Sequence, residues 1–239
     1  MKLLDISITY FSKNEIFNDT NYPIHLITLN SQYFVSSKKD KKLKKIIEKG
    51  SKTIDGQIPW FLFKLKYPFK KIKKLSGSDI IYEFAKIAQE RKWSIFLLGG
   101  NKNSNIKAVE RLSDKFNITI FGHSFPVQDY PFDNSTKVEI QEKIKVNKPD
   151  IIFVNFGVPK QDYWISDNMD FLTDQNIKYI IGAGGTVDFV AGKIKRAPVI
   201  VQKIGLESIF RLIQEPTKAR LRRIFQSSFI FFYFFKIWK

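Results

Sequence analysis

The sequence predicts an α/β fold in which a parallel β-sheet is flanked by helices. Two observations support this prediction. Short apolar runs alternate with helical patterns from Trp93 onward, which is typical of right-handed βαβ units. Four of these runs also end in or beside a glycine, namely Gly99, Gly122, Gly157 and Gly182. Because parallel strands end at the same edge of a sheet, we expect these glycines to share one edge, which we call the glycine rim.

The N-terminal part is predicted to contain two strands and one long helix. Residues 23–30 form an apolar run typical of a strand, and residues 31–48 show helical spacing with a basic outer face. Residues 51–54 are predicted as a short strand that runs into Asp55-Gly56, a turn signal. Residues 59–74 mix aromatic residues with lysines. We interpret them as an amphipathic cover over the core, with a membrane or lipid contact as the alternative.

The middle of the chain supplies the remaining elements. Gly77 opens an apolar-periodic helix, in which Ser78 or Asp79 can cap the first turn. The predicted elements are a helix at 77–91, a strand at 94–98, a helix ending near 116, a strand at 118–121, a helix near 137–146, a strand from 150, a helix near 163–175 and a strand at 178–182.

The composition changes after Pro216, where basic residues are followed by an aromatic run at 229–235. This run is far shorter than the roughly 20 residues that a membrane-spanning helix needs. Basic residues followed by aromatic ones suit a helix that lies in a membrane interface. The alternative is a C-terminal helix docked on the core or on another subunit.

The charge is strongly positive: 40 Lys and Arg against 23 Asp and Glu give a formal net charge of +17. Such a surplus favours polyanions, meaning nucleic acid, anionic lipid or diphosphate compounds. The absence of cysteine excludes disulfides, thiolate catalysis and cysteine metal sites, and with two histidines an imidazole metal cluster is not expected. The N-terminus lacks the features of a signal peptide, so we expect a cytoplasmic protein.

Two strands end in loops suited to a phosphate-bearing ligand. The strand from Asp150 leads into Pro159-Lys160-Gln161, and the strand from Lys178 leads into Gly184-Gly185-Thr186. Glycines allow a ligand to approach the backbone closely, and helices that follow such loops present free N–H groups. The third glycine of a dinucleotide motif would fall on Val187, so the nicotinamide fingerprint is incomplete.

The sequence also lacks an Asp-x-Asp motif, because no two aspartates lie two residues apart. If the protein transfers a sugar, a leaving diphosphate must therefore be stabilised by backbone N–H groups and cationic side chains, not by a metal held in that motif. The candidate cations are Lys160, Lys193, Lys195 and Arg196.

Several ordered motifs resemble the WecG/TagA/CpsF family of bacterial glycosyltransferases, which act in cell-surface polysaccharide synthesis. They lie at residues 155–164, 182–198 and 205–216, with further similarity at 77–79 and 97–100. The resemblance covers most of the chain after about residue 25.

The resemblance implies an inverting, metal-independent transferase without a cofactor. It would move an N-acetylmannosamine-type sugar, either ManNAc or ManNAcA, from a UDP-sugar to GlcNAc-diphosphate-polyprenol. The expected partners are these two substrates and an anionic membrane surface, without nucleic acid. Whether the chain forms a homo-oligomer off the membrane stays open at this point. The expected location is the inner face of the cell membrane, where a C-terminal appendage makes a peripheral contact and completes the active site.

The resemblance also assigns roles to residues. Asp55 matches the family's catalytic base, while Thr28 and Gln161 match two further catalytic positions. Lys74 stands where the family has an arginine, so the charge is kept and the bidentate fork is lost. The predicted substrate-binding residues are Asn30, Gly99, Gly100, Gly157, Pro159, Lys160, Gly184, Gly185, Asp188, Arg196 and Arg211. The predicted membrane-contacting residues are Lys218, Arg220, Arg222, Arg223, Phe231 and Trp238.

Two further positions depart from the family pattern, and two residues each have two alternative interpretations. Ser124-Phe125-Pro126 replaces a Gly-Tyr-Phe-like turn, and Ser208 replaces a tryptophan. His123 is interpreted as a hydrogen-bonded rim residue, with catalysis as the alternative. Asp188 is either a uracil or ribose contact or the cap of the helix after Gly185.

The predicted organisation is a glycosyltransferase core at 1–197 and a membrane-associating appendage at 198–239. Within the core, residues 1–76 would supply the base and the acceptor site, and residues 77–197 would form a Rossmann-like donor portion. Two other functions remain open at this point. The charge would also suit a nucleic-acid-binding protein without catalysis, and the glycine-rich turns a nicotinamide-dependent enzyme.

Overall fold

The computed structural model describes residues 1–238, without the side chains of Val199, Ala219, Ile237 and Trp238. Within that range the chain forms eight strands and 13 helices. The strands are β1 (Lys2–Leu3), β2 (Ile6–Ser7), β3 (Ile24–Leu29), β4 (Ser51–Ile54), β5 (Ile95–Gly99), β6 (Ile120–His123), β7 (Ile151–Asn155) and β8 (Tyr179–Gly182). The helices are α1 (Lys13–Asn18), α2 (Ser31–Ser36), α3 (Lys41–Lys49), α4 (Gln57–Lys66), α5 (Gly77–Arg91), α6 (Lys102–Phe116), α7 (Asn134–Asn147), α8 (Lys160–Asp167), α9 (Met169–Asp174), α10 (Thr186–Val190), α11 (Val199–Lys203), α12 (Glu207–Gln214) and α13 (Lys218–Trp238).

The central sheet confirms the predicted α/β class. Its six strands follow the order β4-β3-β8-β7-β5-β6, and β1 and β2 form a separate antiparallel pair. Parallel pairing joins β3 to β8, β8 to β7, β7 to β5 and β5 to β6. The connection after β5 leads outward to β6, whereas the connection after β7 leads the opposite way to β8. The neighbouring ends of β5 and β7 therefore form a topological switch point, where ligands bind in open α/β sheets.

The chain divides into two compact units. We call residues 17–27 and 77–193 the rim unit, and residues 1–16, 28–76 and 194–239 the tail unit. The rim unit contains β5 to β8, most of β3 and helices α5 to α10. The tail unit contains the β1–β2 pair, β4, helices α2 to α4 and helices α11 to α13.

Strands β5, β7 and β8 of the rim unit are buried on both faces, which explains their continuous apolar runs. On one face, Ile152, Val154 and Ile180 pack with side chains from α7, α8 and α9. On the other face, the Phe84 ring of α5 lies 5.7 Å from Phe153 and 4.9 Å from Tyr179. Neighbouring residues of a strand point to opposite faces, so this division follows from the pleat. The sheet is thus held rigidly beneath its rim.

The tail unit ends in the long helix α13, which packs against α2 and buries Ile230 and Phe234. Large apolar side chains on its other faces stay exposed, including Phe225, Phe232 and Phe235. One side of this helix is therefore docked within the tail unit. Contact of its exposed side with a membrane remains a prediction. Among residues 1–238, no helix combines the length and apolar character needed to cross a membrane.

The structure corrects two predicted helices and defines the helical part of residues 59–74. The single helix expected at 31–48 is interrupted at residues 37–40, where the Asp40 carboxylate accepts from the Leu43 N–H at 2.9 Å and starts α3. The helix expected at 163–175 begins earlier, at Lys160, and is divided at Asn168. The amphipathic segment at 59–74 is helical only to Lys66, since Pro68 disfavours the helical conformation of the residue before it.

Candidate functional site

The first glycines of the rim are required by the fold. Gly99 and Gly100 follow each other at the end of β5 with φ of +86° and +79°. An added Cβ would lie 2.5 Å from the Phe156 ring at Gly99 and 2.3 Å from Val187 Cγ2 at Gly100. Their backbone conformation and their packing each explain the absence of a side chain.

The glycines after β7 and β8 face open space instead. An added Cβ at Gly157, Gly184 or Gly185 would meet no described atom within 4 Å. Positive φ angles of +78° and +57° account for Gly157 and Gly184, because turns of this kind favour glycine. Gly185 has φ of −90°, which any residue can adopt. Gly185 is the N-cap of α10, a position at which glycine is favoured, and it leaves open space beside its backbone.

Gln161 fixes these two loops to each other. Its Oε1 accepts from the N–H of Gly157 at 3.1 Å and from the N–H of Gly184 at 3.0 Å. The side chain is buried, and its Nε2 lies so close to Gly182 that a Cβ there would be 2.5 Å away. Gln161 was predicted as a catalytic residue, and its contacts give it the geometry of a positioning residue for the open glycines.

Two buried asparagines brace the switch point, and the sequence predicted a role for neither. The Asn105 Nδ2 donates to the backbone carbonyls of Leu97 at 2.9 Å and Gly99 at 2.8 Å. Gly122 of β6 packs against the same amide, since a Cβ there would lie 2.2 Å from Asn105 Oδ1. Asn155 donates to the carbonyl of Phe153 at 2.9 Å. The only sequence signal was an amide close behind a glycine turn, because these contacts depend on the sheet.

Lys160 is engaged by the loop between β6 and α7. Its ammonium donates to the Gln128 carbonyl at 2.8 Å and forms an ion pair with Asp129 at 2.9 Å. The hydrogen bond from Lys160 lowers the pKa of Asp129. The loop ends where Asp133 caps α7, and hydrogen bonds from Ser135 and the Thr136 N–H lower its pKa to about 2. Lys160 was predicted to bind substrate, and here it holds this loop. Pro159, from the same prediction, directly precedes α8.

His123 and Asp188 also lie in the rim unit. His123 ends β6, and its Nε2 is 3.6 Å from Glu139 Oε1. Burial lowers the pKa of His123, Glu139 opposes this, and Lys143 adds to it. Asp188 lies in the first turn of α10, which has no side-chain cap, so the capping interpretation is not observed. The buried Oδ1 of Asp188 lies 3.8 Å from Lys193 Nζ and accepts no hydrogen bond from residues 1–238.

In the tail unit, three chain segments with predicted catalytic residues lie side by side. The Asp55 N–H donates to the Leu29 carbonyl, and the Leu75 N–H donates to the Ile54 carbonyl, both at 2.9 Å. This backbone pairing brings Thr28, Asp55 and Lys74 onto neighbouring segments. The sequence separation of these residues gives no hint of that arrangement.

The side chains of Thr28, Asn30 and Lys74 differ in their contacts. Thr28 is buried, and Asn30 caps α2 by accepting from the Gln32 N–H at 3.0 Å. The half-buried ammonium of Lys74 has no hydrogen bond or ion pair with any described residue. It is therefore available to an anionic ligand.

Two arginines share one carboxylate in the tail unit. Glu207 Oε1 accepts from Arg211 Nη2 at 2.5 Å and lies 3.8 Å from Arg196 Nε. Arg196 also reaches Ser76 Oγ at 3.4 Å, two residues beyond Lys74. We call Lys74, Arg196 and Arg211 the cation cluster.

The remaining predicted residues lie on α13. Arg220 pairs with Glu215, whereas Phe231 is exposed. Lys218, Arg222 and Arg223 lie in the first two turns of the same helix. The side chain of Trp238 lies outside the described residues. Within residues 1–238, no group of three or more His, Asp or Glu side chains is arranged to hold a metal ion.

A parallel sheet with a glycine-lined switch point is the architecture with which many α/β proteins bind nucleotides and other phosphate-bearing ligands. The chain matches, over residues 1–239, the model of the Glycosyl transferase WecG/TagA/CpsF family. It belongs to this family, which confirms the resemblance carried by the motifs. The protein is therefore a glycosyltransferase of the kind that acts in cell-surface polysaccharide synthesis.

Proposed function

We propose that the protein is an inverting transferase that moves an N-acetylmannosamine-type sugar from UDP to a GlcNAc-diphosphate-polyprenol. The observation that supports it best is the pairing of the Asp55 segment with the Lys74 segment in the tail unit. This pairing puts an aspartate and a lysine on neighbouring segments, where the one would provide a base and the other a phosphate contact. Family membership makes sugar transfer the reaction to which these groups belong.

In the proposed reaction, Asp55 accepts the proton of the acceptor hydroxyl while its oxygen attacks the anomeric carbon of the donor. The bond from that carbon to the UDP oxygen breaks on the opposite face, so the configuration inverts and UDP leaves. The cation cluster stabilises phosphate charge. Lysine at position 74 binds phosphate as a point charge, without the fork of an arginine.

The rim unit is proposed to hold the donor nucleotide. Open space above Gly157, Gly184 and Gly185 lets a ribose or phosphate approach the backbone, and Gln161 keeps these loops in register. Asp188 has a carboxylate oxygen without a hydrogen-bond donor, which suits a ribose hydroxyl or a uracil N–H. Asn30, which caps α2, is proposed to act through the segment beside Asp55, and Thr28 lies on the same segment.

The first test is Asp55→Asn in the full chain. A neutral amide cannot accept the proton, so we expect transfer to fall by about 10²- to 10⁴-fold. UDP binding, measured by calorimetry, should be unchanged because Asp55 is proposed to contact the acceptor. Transfer is measured with UDP-ManNAc, UDP-ManNAcA and UDP-GlcNAc on a GlcNAc-diphosphate-lipid. Near-normal transfer by the folded variant would refute the assignment of the base.

The same calorimetry separates the other functions. UDP, NAD and a short oligonucleotide are titrated into the wild-type chain. We expect binding of UDP alone at moderate salt. Tight, steeply salt-dependent oligonucleotide binding would support the nucleic-acid-binding alternative instead, and NAD binding would support the nicotinamide alternative.

A further inference from the structure

Helix α4 presents an apolar face to solvent. Phe61 and Leu65 lie one helical turn apart and are 54% and 45% exposed. Phe69 follows at the same spacing just beyond the helix and is 96% exposed. We call these three side chains the α4 apolar face. Its opposite side is buried through Leu62 and Phe63, so α4 is docked on the tail unit with this face outward.

The segment that carries Phe69 is held in place by specific contacts. The Lys64 ammonium donates to the carbonyls of Pro68 at 2.8 Å and Lys70 at 2.9 Å. The indole N–H of Trp60 donates to the Ile72 carbonyl at 3.1 Å. These bonds fold the chain back against the end of α4. Exposure of Phe69 is therefore a property of the folded segment.

The chain segment that carries the α4 apolar face is rich in lysine. Between Asp55 and Asp79 the sequence has six lysines and no acidic residue. The lysines are Lys64, Lys66, Lys70, Lys71, Lys73 and Lys74. Lysine side chains beside an apolar surface can extend their ammonium groups toward lipid headgroups while their stems contact the acyl region.

Positive charge also predominates in the tail unit as a whole. It carries 26 Lys and Arg against 7 Asp and Glu, whereas the rim unit carries 14 against 16. The whole positive surplus of the protein thus belongs to the tail unit. A second copy would bring the same lysines against this face and be repelled, and lysine is depleted at protein interfaces. An anionic bilayer matches both the charge and the apolar side chains.

We propose that the α4 apolar face inserts into an anionic membrane surface and is a membrane contact separate from helix α13. Because α4 begins directly after Asp55-Gly56, such an anchor would set the depth of the base relative to the bilayer. Ten residues at about 1.5 Å each place the two ends of α4 about 15 Å apart. This consequence rests on the proposed function, whereas the membrane contact does not.

The absence of cysteine allows a direct test in the full chain. Phe69→Cys is labelled with a polarity-sensitive fluorophore such as NBD, and Val127→Cys, at a rim-unit residue that is 99% exposed, is the matched control. Vesicles contain phosphatidylcholine with or without phosphatidylglycerol. We expect the label at position 69 to brighten and shift to the blue with the anionic vesicles, and the label at position 127 to stay unchanged.

A second measurement compares affinities by vesicle sedimentation. Replacing all three side chains of the α4 apolar face with serine should weaken binding by about tenfold or more, because each removes apolar area from the lipid contact. The control replaces Val127, Val138 and Val146, which are exposed residues of the rim unit, with serine. Since all six side chains are exposed, we expect both variants to keep the wild-type melting temperature.

Three outcomes would overturn the proposal. The first is vesicle binding without a fluorescence change of the label at position 69. The second is an equal loss of vesicle binding in the control variant. The third is a fluorescence change of the label at position 69 that depends on protein concentration without lipid, which would indicate a second copy. The vesicles contain no acceptor, so the result is independent of catalysis. Membrane insertion without sugar transfer in the separate assay would refute the proposed function alone.

Discussion

At the scale of single residues, the glycines of the rim separate into two kinds. Gly99 and Gly100 are fixed by positive φ and by side chains that fill the space of a Cβ. Gly185 has ordinary φ and open space. The open space beside Gly185 is visible only in the structure, and it is where we propose that the donor approaches the backbone.

This difference predicts opposite behaviour of two alanine substitutions. Gly100→Ala should destabilise the protein by about 1–2 kcal/mol or more, because it forces positive φ on alanine and crowds Val187. Gly185→Ala should leave stability within about 0.5 kcal/mol of wild type and weaken UDP binding about tenfold. Denaturant unfolding and calorimetry measure the two effects. Wild-type UDP affinity of Gly185→Ala would remove the argument for close ligand approach.

His123 predicts a pH dependence of stability. Burial lowers its pKa below the ordinary 6.5, against Glu139 and together with Lys143. The unfolded chain therefore takes up the proton first as pH falls. The contribution of His123 to the free energy of unfolding is fully present above pH 6.5. It is lost as the pH falls from 6.5 toward the lowered pKa. His123→Gln should flatten the plot of unfolding free energy against pH in this window, and an unchanged slope would contradict the assignment.

At the scale of elements, helix α13 has one buried side and several exposed ones. Phe234 is buried against the tail unit, whereas Phe232 is 60% exposed. Phe234→Ala should cost about 3 kcal/mol of unfolding free energy, and Phe232→Ala less than about 0.5 kcal/mol. Urea unfolding measures both. Equal effects would mean that the helix does not dock through Phe234.

The elements show which parts of the fold the sequence determines locally. Residues 94–98 and 178–182 were predicted as strands because a buried parallel strand is apolar on both faces, and the structure confirms them within one residue at either end. The breaks at Asp40 and Asn168 were missed because side-chain hydrogen bonds, not a change of apolar spacing, mark them. Capping side chains compete with a continuous helix wherever the backbone allows it.

The candidate site was less predictable from the sequence than the strands were. The glycines and the Asp55-Gly56 turn could be proposed for the site from motifs, because turns with positive φ favour glycine, as at Gly56, Gly99 and Gly157. Asn105 could not, since its role comes from carbonyls of β5 and a glycine of β6 that the sheet brings together. The ion pair between Lys160 and Asp129 could not be predicted either, because an ion pair between distant segments leaves no periodic signal in the sequence.

At the scale of the whole molecule, the charge is divided between the units. The tail unit has 26 basic and 7 acidic residues, and the rim unit is close to neutral with 14 and 16. The exposed phenylalanines of α4 and α13 belong to the tail unit as well. An anionic, partly apolar surface is thus matched by one unit, while the glycine rim belongs to the other.

This division predicts how salt affects the two binding activities. Screening lengths fall from about 10 Å at 0.1 M to about 3 Å at 1 M salt, so the attraction of many exposed lysines to anionic vesicles should weaken by about tenfold or more. UDP binding should weaken less, because a diphosphate carries only a few charges. Vesicle sedimentation and UDP calorimetry across this salt range measure both. If salt leaves vesicle binding unchanged, apolar insertion alone accounts for it; if a single-stranded oligonucleotide displaces the protein from vesicles at moderate salt, the positive charge of the tail unit serves nucleic acid instead.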